Sequence, residues 1–375
     1  MTKVNLIVGC GLTGATMARR IAEELNEKVI VIDTKDHIAG TCYDYKDPCG
    51  ITVHKYGPHI FRTNSKEIWD FLSRFTKWYP FMHHVLGLID GIEVPIPFNI
   101  DSLHKVFPEQ MANKLENKLI EKFGFNKKVP ILELRKTDDE DLNFLAEYIY
   151  EKVFLGYTLK QWNFTPEQLD PSVTGSVPVY ISRDCRYFQE KYQGIPQDGY
   201  TKMFEKMLDH PNITVMLNTS FESVKDTIRY DRLLYTGAIE EFFNYKYGKL
   251  PYRSLDIKIE TYDEEQFQNA PVVNYPENYD FTRIAEYKYF LREKSDKTIL
   301  TFEYPEDFEV GKNDRIYPIL NPENQAIYDR YLEDAKKMEN VYFIGRLGAY
   351  RYYDMNRTIA GAFETFNEIK SQYSK

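Results

Sequence analysis

The run Gly9-Cys10-Gly11-Leu12-Thr13-Gly14 restricts the fold of this chain more than any other feature. It follows a β-rich stretch, Val4–Val8 (VNLIV), and opens a stretch with apolar residues at helical spacing, ATMARRIAEEL. A second β-rich stretch, Lys28–Ile32 (KVIVI), then ends in Asp33. Three glycines at this spacing are a weak signal alone. Inside a β–α–β unit of about thirty residues they read as a dinucleotide-binding turn. Gly9 permits the tight turn, Gly11 lets backbone approach a pyrophosphate, and Gly14 lets the helix pack close to the strand. The pyrophosphate then meets a helix N-terminus, where free N–H groups and the dipole favour anions. Asp33 is placed to accept from ribose hydroxyls.

Beyond this unit the pattern changes twice. From about 65 to 170 it is helical, as in KEIWDFLSRF, PEQMANKLENKLIEKF and LNFLAEYIYEKVFLGY, with one hairpin between Val85 and Phe98 turning at Asp90-Gly91. From about 200 α/β character returns with TKMFEKMLDH, ITVML and DRLLYTG. Residues 250–318 read as strands, NVYFIG as a buried strand, and a last helix starts at about 356. The first and last α/β segments are alike in type and neither makes a whole sheet. We therefore expect an α/β fold: a discontinuous Rossmann-type domain from 1–80, 196–237 and 335–375, a helical domain at 100–170, and an antiparallel β-sheet domain from 81–99, 171–195 and 238–334. A length of 375 residues suits several cores. No internal repeat or low-complexity linker is evident.

A net charge of −9 argues against nucleic acid, which needs a basic face, so any anionic ligand must be held by local cations. The four cysteines fall at no metal-like spacing, so no metal is expected and reduced thiols in the cytoplasm are the simple account. The first apolar run leads straight into glycines rather than a cleavage site, and no run of 18 apolar residues would span a membrane. The 30 tyrosines mostly fit extra aromatic core, although a tyrosine also brings a hydroxyl to a polar cleft.

Two stretches favour FAD over NAD. Lys35 to Thr41 (KDHIAGT) resembles the second cofactor-binding stretch of glutathione-reductase-type FAD proteins, with Ala39 in place of the first of two glycines before Thr41. The strand end Phe343-Ile344-Gly345-Arg346 is similar to the segment that meets the flavin side chain in such folds.

Further motifs extend the likeness along essentially the whole chain: Tyr56-Gly57-Pro58-His59-Ile60-Phe61, Pro97-Phe98-Asn99, Gly156-Tyr157-Thr158-Leu159-Lys160-Gln161-Trp162, Tyr187-Phe188, Tyr252-Arg253-Ser254-Leu255, Thr282-Arg283-Ile284, Tyr317-Pro318 and Tyr352-Tyr353-Asp354-Met355. Together they resemble the UDP-galactopyranose mutase family. The resemblance implies a flavin-dependent, non-redox isomerisation of a nucleotide-linked sugar between pyranose and furanose forms, through a covalent adduct of flavin N5 with the sugar. It implies reduced FAD, a UDP-type diphosphate sugar, a cellular flavin reductant, a homodimer and a role in furanose-containing surface polysaccharide.

By the same resemblance, His59, Arg253, Arg283 and Arg346 stand at the reacting centre. Arg62, His83, Phe98, Asn99, Phe154, Tyr157, Trp162, Tyr187, Asn274, Tyr317, Tyr352 and Asp354 hold the substrate. Gly9, Gly11, Leu12, Thr13, Gly14, Asp33, Thr34, Lys35, Gly40, Thr41, Tyr56, Gly57, His59, Ile60, Arg346, Asp354, Met355 and Thr358 hold the cofactor. The chemistry suits these types: flat Tyr157 and Trp162 faces suit a pyrimidine, and guanidinium forks suit phosphate.

Three positions depart from the family pattern. Arg62 stands where a histidine is usual, His83 where an asparagine is usual, and Ser176 where a mobile-loop arginine is usual. These point to a changed sugar, such as an N-acetylated, deoxy or heptose form, with Arg183 or Arg186 replacing the loop arginine. Uridine and thymidine remain open. Two other readings fit the same cofactor fold: a flavin amine oxidase or desaturase, and a non-catalytic nucleotide-sugar binder.

Overall fold

The computed structural model describes residues 2–373. Its central element is a five-stranded parallel sheet in the order Ile213–Met216, Lys28–Ile32, Val4–Val8, Arg232–Tyr235, Val341–Phe343. Parallel strands are covered on both faces, which is why Arg232–Tyr235 is buried at every position. Helices Leu12–Arg20 and Met355–Ser371 pack together, so the two ends of the chain share one core.

The second layer is a seven-stranded sheet in the order Tyr317–Pro318, Tyr252–Tyr262, Thr298–Asp307, Arg283–Glu286, Val272–Asn274, Val85–Ile89, Ile92–Ile96. All neighbours are antiparallel except Val272–Asn274 beside Val85–Ile89. The hairpin turns at Asp90-Gly91 with φ of 49° and 78°, the left-handed pair that a two-residue turn matching strand twist requires.

A helical insertion carries its own core around Leu115, Leu145 and Ile149. Its last rod is not one regular helix. Helix Glu140–Ile149 widens to a π-helical stretch over Tyr150–Leu155 and resumes as Gly156–Trp162. The α/β class with inserted helices and an antiparallel sheet is thus as the sequence implies.

The stretch 171–195 does not join the large antiparallel sheet. Val179–Ile181 pairs with Lys127–Val129 at the edge of the helical insertion. Tyr192–Pro196 begins inside that stretch and pairs with Phe61–Thr63 and Trp78–Pro80. An aromatic pile fixes the second pairing: Trp69 stacks on Trp78 at 4.4 Å and on Tyr192 at 5.3 Å.

Candidate functional site: two adjoining cavities

The glycine turn explains its own composition. A Cβ on Gly14 would lie 1.9 Å from the Gly9 carbonyl oxygen, and one on Gly40 would lie 2.9 Å from the Gly11 Cα. Two backbone segments therefore meet with no room for side chains, leaving N–H groups bare at the start of helix Leu12–Arg20. Ala39 keeps the left-handed φ of 73° that its position demands although it is not glycine.

The cavity above this turn is lined by Gly11, Leu12, Thr13, Gly14, Thr41, His59, Arg346, Met355 and Thr358, all expected from sequence, and by Cys42, Thr236, Arg315, Ile316, Gly345 and Leu347. Of the added residues, Gly345 belongs to the strand-end segment that the sequence likens to the stretch meeting the flavin side chain, and Thr236 follows strand Arg232–Tyr235.

The remaining candidates stand behind or beside this lining. Asp33 accepts from the N–H of Cys10 at 2.7 Å and of Lys35 at 2.9 Å, which ties the turn to the second strand. Thr34 is exposed. Lys35 pairs with Asp314 at 2.8 Å and sits over the Tyr56 ring at 4.8 Å. Gly9 lies under Thr236, Gly57 lies against the Arg283–Glu303 pair, and Ile60 packs on the core.

Arg346 donates to the carbonyls of Tyr353 at 2.8 Å and Ile316 at 3.0 Å, and its guanidinium lies 5.5 Å over the Tyr317 ring. That contact is the shared wall with a second cavity. The second cavity is lined by Phe154, Tyr157, Trp162, Tyr187, Asn274, Tyr317 and Tyr352, seven of the expected substrate residues, by Arg283 of the expected reacting centre, and by Gln161, Ser176 and several apolar side chains. Gln161 sits within a motif already singled out and was readable there.

Polar satisfaction in this cavity is unusual. Arg283 Nε lies 2.7 Å from a Glu303 oxygen without a directed hydrogen bond. Among the described residues, neither the Arg283 guanidinium nor the hydroxyls of Tyr157, Tyr187, Tyr317 and Tyr352 make a hydrogen bond within the chain. Four almost wholly buried tyrosines elsewhere, Tyr200, Tyr287, Tyr331 and Tyr350, do bond within the chain. Four hydroxyls without partners share the cavity with a guanidinium whose charge partner is Glu303, and the hydroxyls with the outer guanidinium N–H groups are the inventory an anion with several oxygens would satisfy.

Several expected site residues lie elsewhere, Arg253 of the reacting centre among them. Arg253 is buried beneath the cavity; it donates to the carbonyls of Gln161 at 2.8 Å and Lys160 at 3.1 Å and pairs with Asp307. It caps the end of helix Gly156–Trp162, because carbonyls left free there attract a cation. Phe98 fills the helical core. Asn99 caps helix Ile100–Val106 by accepting from Ser102 N–H at 3.0 Å.

Arg62 is held by Glu190 at 2.5 Å and Asp354 at 3.2 Å and lies 4.0 Å over the Phe188 ring, so it does not line the cavity. Asp354 caps the last helix through Arg357 N–H at 2.7 Å. His83 is buried one layer back, edge-on to Tyr187 at 5.5 Å, with Nδ1 unpartnered.

Neither arginine expected to replace the loop arginine reaches the site. Arg183 binds Asp101 and Glu116, and Arg186 binds Asp184. Ser176 does line the cavity, with its hydroxyl on the Val173 carbonyl at 2.7 Å. Among the described residues no group of His, Cys, Asp and Glu is arranged to hold a metal, and no helix is long and apolar enough to cross a membrane.

Burial pushes the imidazoles of His54, His59 and His83 down to about 3. Folded values below the ordinary one favour the neutral ring, so their contribution is present above about pH 6.5 and is lost as pH falls toward 3. Each histidine adds a slope of up to about 1.4 kcal/mol per pH unit in that window. Thermal melts from pH 7 to 5 should therefore fall steeply, and a flat midpoint across that range would contradict the neutral assignment.

Comparison with known proteins agrees with this geometry. The sequence profile for UDP-galactopyranose mutase matches residues 152–352, and that for an NAD(P)-binding Rossmann-like domain matches residues 7–75. The chain is 36% identical to the probable UDP-galactopyranose mutase of Klebsiella pneumoniae, covering 98% of this chain and 94% of the relative. It is 35% identical to the dTDP-fucopyranose mutase of Escherichia coli, covering 97% of each. A crystal structure of reduced UDP-galactopyranose mutase superposes with a TM-score of 0.76 at 15% identity, covering 100% of this chain and 95% of that one. With the cation-and-tyrosine cavity falling inside the matched span, the chain belongs to the UDP-galactopyranose mutase family and is an isomerase of that kind.

Proposed function

We propose that the chain interconverts the pyranose and furanose forms of a sugar carried on a pyrimidine nucleoside diphosphate, with reduced FAD as its cofactor. The observation that carries this reading is the set of unsatisfied donors around Arg283, next to a cavity made by a dinucleotide turn.

The residues present fit FAD. Close approach of Gly11 and Gly40 leaves a side-chain-free floor, which suits a pyrophosphate on the N–H groups of Leu12 and Thr13. Asp33 suits a ribose. His59, Arg346, Met355 and Thr358 form the wall where the ring system would rest. A bound reduced flavin supplies the nucleophile that the anomeric carbon needs, and no Ser/His/Asp arrangement here supplies one.

The chain's own part is positioning and charge. Arg283 stabilises the negative charge that grows on the diphosphate as its bond to C1 breaks, and Tyr187, Tyr317 and Tyr352 donate to the same oxygens. Tyr157 and Trp162 offer flat faces to the base, worth roughly 1–3 kcal/mol per stacked ring. The neutral His59 ring adds no charge beside the cofactor.

Two relatives of almost equal identity carry different nucleotides in their names, so UDP-galactose and dTDP-fucose are both candidate substrates. A cytoplasmic homodimer serving furanose-containing polysaccharide completes the reading.

The test uses purified holoprotein reduced with dithionite. It is incubated with UDP-galactopyranose, UDP-N-acetylgalactosamine and dTDP-fucopyranose. A furanose product from at least one, formed only with the reduced cofactor, is expected. Absence of furanose from all three, or oxygen consumption with an amine substrate, would defeat the proposal.

A further inference from the structure

We propose that Lys160 is a positioning residue for the substrate cavity: its ammonium fills a cage of four backbone carbonyls and thereby fixes Asn274 and Arg283 on the cavity wall. The inference rests on the proposed function and extends it to a residue that touches neither substrate nor cofactor.

Lys160 Nζ donates to the carbonyl of Tyr275 and lies 3.0 Å from that of Glu277 and 3.1 Å from those of Tyr279 and Phe281. Four oxygens from alternate residues of one loop surround three hydrogens, an arrangement that a small monovalent cation also accepts. The loop contributes little regular bonding of its own. Its own backbone bonds are Tyr275 N–H to the Thr282 carbonyl and Tyr279 N–H to the Glu277 carbonyl, both at 2.8 Å. The ammonium is therefore the principal polar tie inside the loop.

What the loop carries makes the tie consequential. It joins strands Val272–Asn274 and Arg283–Glu286, whose terminal cross-strand pair is Asn274 opposite Arg283. Both side chains line the substrate cavity. The helix face that meets the loop is a stripe. Lys152 pairs with Glu277 at 3.0 Å, and Gly156 lies so close that a Cβ would be 2.2 Å from the Pro276 carbonyl oxygen. Lys160 completes the stripe one turn on, while Tyr157, Gln161 and Trp162 face the cavity. The same short helix thus presents flat rings to the base and clamps the hairpin that carries the guanidinium. Lys160 sets the distance between the two.

The test compares Lys160→Ala, Lys160→Met and Lys288→Met, all as flavin-loaded protein. Lys288 also donates to carbonyls, those of Glu265 and Ser295, but these lie away from the cavity, so its loss costs stability without reaching the substrate. For Lys160→Ala, Kd for UDP or dTDP and KM should rise roughly 10- to 100-fold, the loss expected of a charge-assisted contact, and kcat should fall as well because the displaced Arg283 also serves the charge that grows on the diphosphate. Ammonium or potassium ions should restore Lys160→Ala by entering the emptied cage, and should leave Lys160→Met unchanged because its side chain still fills it. Amide exchange over 274–283 should accelerate in both Lys160 variants but not in Lys288→Met.

Lys160→Ala with wild-type Kd and wild-type exchange overturns the proposal. So does a Kd loss that ammonium does not repair, or one that Lys288→Met shares. A wild-type protein that binds neither UDP nor dTDP refutes the functional reading instead, and the exchange arm still decides whether Lys160 pins the loop.

Discussion

Replacing Arg283 with alanine is expected to lower kcat/KM by roughly 10²- to 10³-fold, the usual cost of one donor aimed at developing charge, about 3–4 kcal/mol. The same change should destabilise the fold. Glu303 is almost wholly buried, and Arg283 at 2.7 Å is its charge partner. Removing one member of a buried pair costs about 3–5 kcal/mol, because the survivor keeps an uncompensated charge. The two effects separate in the double variant. Arg283→Ala with Glu303→Gln should regain much of the thermal midpoint and none of the turnover. Steady-state kinetics and melting of the three proteins decide the matter. Recovery of turnover with stability would make Arg283 a structural residue only.

Gly14→Ala should be comparably severe for the cofactor. The new methyl would sit 1.9 Å from the Gly9 carbonyl oxygen, an atom of backbone that cannot swing aside. The helix must move off the strand, and the bare N–H groups at its start move with it. Overpacking against movable side chains costs about 1–3 kcal/mol, and here the obstacle is rigid, so the loss should reach or exceed that upper figure. The expected product is colourless, unstable protein. Gly361→Ala is the fitting control. It lies inside the last helix with nothing within 4 Å of a Cβ, and should gain about 0.5–1 kcal/mol. Flavin content read from visible absorbance, with melts of both variants, tests the contrast. Yellow Gly14→Ala protein of wild-type stability would disprove it.

The cofactor cavity was largely legible in the sequence because its chemistry is backbone chemistry. Glycine spacing fixes where N–H groups are bare and places Thr13 beside them, whereas Thr41, His59 and Thr358 came from the family resemblance and do line the cavity. On the substrate side the family motifs pointed to Tyr157, Trp162, Tyr187, Asn274, Tyr317 and Tyr352, which do line the cavity. They failed for several long cations, although Arg283 and Arg346 do line the cavities. A motif gives the position of an arginine's Cα but not which of several acceptors its head will meet.

Arg253 chose helix-end carbonyls, Arg62 chose Glu190 and Asp354, and Arg183 chose two carboxylates on the helical insertion. Phe98 and Asn99 failed for a different reason. They adjoin a strand end, Ile96, that does line the cavity, yet the chain turns there into a capped helix. The pairing of Val179–Ile181 with Lys127–Val129 was beyond reach, since three-residue strands carry no readable period.

The order in which the chain contributes to its central sheet has a consequence for assembly. During synthesis the glycine turn precedes both inserted domains, whereas strand Val341–Phe343 and the wall from Gly345 to Thr358 follow them. A ribosome-bound intermediate therefore holds the floor of the flavin cavity without its roof, and nearly every contact that closes it is distant in sequence. Such pairings must pay loop-closure entropy before they are rewarded, which slows folding. Flavin can be captured firmly only after most of the polypeptide has left the exit tunnel, so growth under riboflavin limitation should leave full-length apoprotein rather than truncated holoprotein.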